Sequence, residues 1–145
     1  MHDHLVGIEV FNKADKYPTD RKLWDNLLTH FMPERPIWAF GNDDNHINNP
    51  GIDFAVSWNV FLLDSFELES VKDAYKAGEF FACNKTSKDA PSPPEVKSIN
   101  VNKGNSMIEI EAENYDEIYW ISEGEKVADG KTVDISNLNT NHTRR

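Results

Sequence analysis

The chain has 145 residues, 39% hydrophobic and 11% aromatic, and its 25 acidic and 15 basic residues give a formal net charge of −10. That length holds one modest core or two small ones, and it falls short of a complete (β/α) barrel of roughly 200 residues or more. The acidic balance argues against duplex nucleic acid held by phosphate neutralisation, no run of about 18 apolar residues is present to span a membrane, and the single cysteine, Cys83, excludes an internal disulfide and a cysteine-based zinc site.

Residues 1–84 carry 14 acids and 7 bases, and residues 85–145 carry 11 acids and 8 bases. Between the halves lies a polar stretch, 85–94, with three prolines, at Pro91, Pro93 and Pro94. Proline lacks a backbone donor and fixes φ, so this stretch reads as an extended linker between two domains, 1–84 and 95–145. Met1-His2-Asp3-His4-Leu5 lacks the basic region and apolar stretch of a signal peptide, and a cytoplasmic location is the expectation.

In chain order, Leu5–Phe11 is rich in β-branched and aromatic residues and reads as a strand. Thr19 or Asp20 can cap a helix whose apolar stripe is Leu23, Trp24, Leu27, Leu28 and Phe31, and Pro33 and Pro36 stop it. Pro36–Phe40 suits a strand buried on both faces. Asn48-Asn49-Pro50-Gly51 is a turn, and Ala55–Leu63 is a further strand. Asp64 and Glu67 resemble a capping box for a helix with Leu68, Val71, Ala74 and Tyr75 on one face and Gly78 at its C-terminus. Glu79–Cys83 is one more short strand. Strands alternating with helices imply β-α units and a mainly parallel sheet.

The second half changes period. Val96–Val101, Met107–Ala112, Glu117–Ile121 and Thr132–Ile135 are short strand-like runs separated by Gly-containing turns. Ile108, Ile110 and Ala112 alternate with Glu109, Glu111 and Glu113, the mark of a sheet with one wet face. A small antiparallel, sandwich-like domain is expected over 95–145, with its last strand missing.

Chemistry concentrates in Gly41-Asn42-Asp43-Asp44-Asn45-His46, just beyond an apolar strand. Ligands in parallel α/β sheets gather beyond the C-terminal strand ends. Residues i and i+2 of an extended backbone share a side, so Asp44 and His46 can offer a carboxylate and an imidazole to one zinc, manganese or iron ion, with Asp43 as an orienting acceptor. The competing reading is a polar loop of Asx turns. Glu9 and Asn12 end the first strand and can line the same mouth. His30 lies near a helix C-terminus, where a cation is favourable. Cys83 and the four tryptophans sit on apolar runs and read as core. Asn84-Lys85-Thr86 and Asn141-His142-Thr143 match a glycosylation pattern that matters only in a secreted eukaryotic protein.

Four segments in order carry a family resemblance. They are Gly7-Ile8-Glu9-Val10-Phe11-Asn12, Leu23-Trp24-Asp25-Asn26-Leu27-Leu28, Pro36–His46 and Val71–Phe81. Over residues 5–83 the chain resembles the C-terminal part of the PHP family, named for polymerase and histidinol phosphatase. The resemblance implies an α/β fold, the last β-α units of a distorted seven-stranded (β/α) barrel, followed here by the β-rich domain. It implies hydrolysis of phosphoesters by divalent metal ions, Zn, Mn, Fe or Mg, held at the strand ends. The family's final motif, Asp-x-His, maps onto Asp44 and His46. Its opening His-x-His motif is not matched. Met1-His2-Asp3-His4 has the letters but precedes a strand that matches a late one.

The function expected from the resemblance is therefore metal-dependent phosphoester hydrolysis by a parent protein. Its substrate would be a nucleotide, an oligonucleotide or a small phosphorylated metabolite. The alternative is a non-catalytic interaction module. Alone, the chain is expected to be inactive, to bind metal weakly, and to self-associate through strand edges.

Overall fold

The computed structural model describes residues 5–13, 15–46 and 55–138, which fall into two units divided between Pro91 and Ser92. His2, His4, the Asn48–Gly51 turn and the Asn141 site lie outside the described residues. In the first unit the elements run β1 (Gly7–Asn12), α1 (Thr19–Phe31), β2 (Trp38–Asn42), β3 (Ser57–Phe61), α2 (Leu68–Ala77) and β4 (Phe80–Asn84). No helix among the described residues is long and apolar enough to cross a membrane.

The unit is mixed α/β, and its strands depart from the expected parallel sheet. β1 and β2 are parallel, with Gly7 opposite Trp38 and Asn12 opposite Asn42. The ladder slips at Val10, which bulges and is buried. β3 and β4 are antiparallel, with Ser57 opposite Asn84 and Phe61 opposite Phe80. The chain leaves β3 and re-enters β4 at the same end, so α2 is an excursion and not a crossover. Among the described residues the two pairs form separate two-stranded ladders and close no barrel.

The two ladders are joined by one side chain. Asn59 Oδ1 accepts the Gly41 N–H at 2.9 Å, and Asn59 Nδ2 donates to the Gly41 carbonyl at 2.9 Å. The side-chain amide thus replaces a backbone ladder between β2 and β3. The approach requires glycine, because a Cβ on Gly41 would stand 3.0 Å from the Trp58 carbonyl oxygen and 3.2 Å from that of Cys83.

Packing is thin. Val10, Ile37, Val56 and Ala74 are the buried apolar residues here. Around them Phe40 stacks on Phe80 at 4.9 Å between ring centroids, and Tyr75 of α2 meets Phe40 at 5.3 Å. Of the run expected to be buried on both faces, only Ile37 is, since Pro36 is exposed and Trp38, Ala39 and Phe40 are half-buried. A two-stranded ladder has too few neighbours to cover both faces. The tryptophans of this unit are half-buried too. Their indole N–H groups need acceptors, and Trp24 donates to the Ile37 carbonyl at 2.7 Å while Trp38 donates to that of Lys76 at 3.3 Å.

The helix ends also differ from expectation. Pro18 occupies the N-cap of α1, placing Thr19 and Asp20 inside the first turn, and no side chain caps it. Glu67 is the N-cap of α2 and makes no capping bond either, so the expected Asp64–Glu67 box does not form. Gly78 does end α2, in the left-handed region at φ 77°.

The second unit contains β5 (Glu95–Asn102), β6 (Met107–Glu113), β7 (Tyr119–Ser122), β8 (Glu125–Asp129) and β9 (Thr132–Asp134). β5, β6 and β9 form an antiparallel sheet, and β7 and β8 form a hairpin. The alternation in β6 appears as read, with Glu109, Glu111 and Glu113 exposed and Ala112 buried opposite. β8 was not expected, because its Glu, Lys and Asp leave only Val127 and Ala128 as apolar signal.

Candidate metal centre

The C-terminal ends of β1 and β2 lie side by side, and here the chain twists sharply. Lys13, Asp15 and Asp44 all have positive φ, at 44°, 60° and 49°. Lys13 N–H donates to the Asn42 carbonyl at 3.1 Å, which ties the β1–α1 loop to the end of β2. The residues singled out from the sequence at this mouth take three different roles.

Asp43 is a clamp. Its Oδ1 accepts the N–H groups of Val56 and Ser57 at 2.9 and 2.8 Å, and its Oδ2 accepts that of Ala55 at 2.5 Å. One carboxylate therefore holds the start of β3 against the end of β2.

Asp44 and His46 come together. His46 Nδ1 lies 2.9 Å from the Asp44 carbonyl oxygen and 3.5 Å from its Oδ1. The His46 side chain is 80% exposed and that of Asp44 49% exposed. One hard oxygen and one borderline nitrogen would be half of a tetrahedral shell for a divalent cation. Among the described residues no group of three or more His, Cys, Asp and Glu converges. Both side chains are open to solvent.

Glu9 and Asn12 pair with each other instead of joining Asp44. Asn12 Nδ2 donates to Glu9 Oε1 at 2.6 Å, and Asn12 Oδ1 is buried without a hydrogen-bond partner among the described residues. An orphaned carbonyl oxygen beside a carboxylate is a hard, cation-seeking environment. Glu9 also lines an open cleft of about 440 Å³, with Phe40, Asn42, Asn59, Phe61 and Tyr75 among its walls.

The remaining candidates sit elsewhere. His30 lies in the last turn of α1, edge-on to Phe31. Cys83 lies in β4 opposite Trp58, and burial pushes its thiol pKa up, away from nucleophile behaviour. Asn84 accepts from the Ser57 hydroxyl at 2.8 Å. Sequence reasoning missed Asn59, whose role is visible only once Gly41 is seen beside it. It also missed Lys16, at the mouth in the β1–α1 loop. The readable signal for Lys16 was that four of the seven bases in residues 1–84 fall between Lys13 and Lys22. No family model, no curated protein and no solved structure matches the chain.

Proposed function

We propose that the chain is the C-terminal α/β portion of a metal-dependent phosphoesterase of the PHP type, with an appended β-rich domain. Asp44 and His46 supply two of its metal ligands. The observation that supports this reading is their meeting beyond the C-terminal end of β2, where His46 Nδ1 lies 3.5 Å from Asp44 Oδ1. A residue pair of this chemistry, beyond a parallel strand, is where α/β enzymes keep their ligands. A bound divalent ion would supply Lewis acidity and a water of lowered pKa. Asp43 fixes the loop that carries both ligands. The substrate is an anionic phosphoester, a nucleotide or small phosphorylated molecule, which an acidic protein can accept only when a cation offsets its carboxylates.

The test is phosphatase activity of the gene product with manganese or zinc, before and after His46→Ala. Turnover that disappears in the variant supports the reading, and unchanged turnover rejects it. A second reading is a non-catalytic interaction module, which rests on the alternating Ile and Glu residues of β6 in the β-rich unit. Absence of metal binding in calorimetry would select it.

A further inference from the structure

The acidic character of the first unit is interrupted at one place. Between Lys13 and Lys22 the chain carries Lys13, Lys16, Arg21 and Lys22 against Asp15 and Asp20, while residues 1–84 as a whole hold twice as many acids as bases. This segment follows β1 directly, and the Lys13 N–H bond to Asn42 brings it to the end of β2, where Asp44 and His46 lie. Its cations are not equivalent. Arg21 is paired with Asp15 and lies over the Phe11 ring. Among the described residues Lys16 makes no ion pair with an acid, and its ammonium sits 5.1 Å from the Tyr17 ring centroid, on a side chain that is exposed. The Lys16 N–H donates to the Asn12 carbonyl at 2.9 Å, which fixes the root of the side chain at the strand end. The Tyr17 hydroxyl first, and the charge of Asp44 least of all, hold the Lys16 ammonium above its ordinary pKa.

We propose that Lys16 is the phosphate seat of this mouth: its ammonium takes a non-bridging oxygen of a phosphate ester whose other oxygen faces the Asp44–His46 pair. The inference rests on the phosphoesterase reading for its substrate class, and it goes further in naming the residue that holds the anion. An ammonium is a compact point charge on a flexible stem and suits a phosphate oxygen that must be both held and released. The proposal carries an asymmetry that a merely structural lysine does not. Lys16 attracts the anion but repels a cation at Asp44.

The experiment uses calorimetric titration of two probes, manganese alone and phenyl phosphate, into the wild-type chain, Lys16→Gln and Lys16→Arg. Phenyl phosphate is titrated both with and without saturating manganese. Lys16→Gln is expected to weaken phenyl phosphate binding about tenfold, the size of one charge-assisted hydrogen bond. It is expected to leave manganese affinity unchanged or higher, and Lys16→Arg is expected to retain phenyl phosphate. Equal phenyl phosphate affinity in wild type and Lys16→Gln overturns the proposal, as does a parallel loss of both probes or no phenyl phosphate binding by the wild type. Failure of manganese to bind any variant overturns the phosphoesterase reading instead. The metal-free phenyl phosphate comparison then decides Lys16 on its own.

Discussion

The Asp43 carboxylate accepts the backbone N–H of Ser57 at 2.8 Å, so a single side chain at the end of β2 sets where β3 begins. Two further amides, those of Ala55 and Val56, converge on the same group. Val56 and Ser57 are buried, and their N–H groups have no water to turn to once the carboxylate is gone. Asp43→Ala is therefore expected to cost about 2 kcal/mol or more of stability, since charged hydrogen bonds are lost and buried donors are stranded. Denaturant unfolding of the variant against the wild type measures it. A loss below about 0.5 kcal/mol, the range of an ordinary surface change, would show that the clamp is not needed.

Gly41 is the second junction between the ladders. Its Cα lies where a methyl group would press on the Trp58 and Cys83 carbonyls, and Asn59 grips it from both sides. Gly41→Ala forces β2 away from β3 and β4 and stretches both Asn59 bonds. The expected cost is about 2 kcal/mol, in the range of overpacking a close contact. Asn59→Ala removes the bridge without the clash, so the double variant should lose less than the sum of the two. Strict additivity in denaturant unfolding would separate the two features.

Cys83 gives a pH signature. Burial raises its pKa in the folded state relative to the unfolded chain. The unfolded chain therefore releases this proton first, and stability present at neutral pH falls as pH rises through the alkaline range. Cys83→Ala should flatten that alkaline decline. Alkylation of Cys83 by iodoacetamide should be slow in the native protein and rapid in denaturant. Fast native alkylation would contradict the burial.

Much of the first unit was legible in the sequence because its signals are local. The apolar stripe of α1, the Gly78 stop of α2 and the apolar runs of β1 to β4 mark elements in the right order. Strand direction was not legible. A run such as Ala55–Leu63 looks the same whether it pairs in parallel or antiparallel fashion, and only the return of α2 to the Phe61–Phe80 end decides. Caps failed because Pro18 and Glu67 took the positions that Thr19 and the Asp64–Glu67 pattern had suggested. At the mouth, the meeting of Asp44 and His46 followed from a spacing of two. The left-handed turn at Asp44 and the diversion of Asp43 to three amides of β3 depend on residues a dozen positions away, which no local pattern encodes.

Metal affinity is the last expectation. Asp44 and His46 offer two donors, and tight transition-metal sites use three or four. Weak zinc and manganese binding is expected from the wild-type chain. Asp44→Ala should weaken it at least about tenfold, as loss of a ligand costs no less than loss of a supporting residue. Asp44 has φ 49°, where alanine is less favourable than aspartate, so unfolding of the variant is measured alongside and the loss is read as lost ligation only where the variant is folded. Glu9→Gln is the informative companion. If Asn12 Oδ1 and Glu9 join the site, Glu9→Gln also weakens binding; if they do not, calorimetry leaves it unchanged. Tight binding that survives Asp44→Ala would place the metal elsewhere in the chain and remove the support for the phosphoesterase reading.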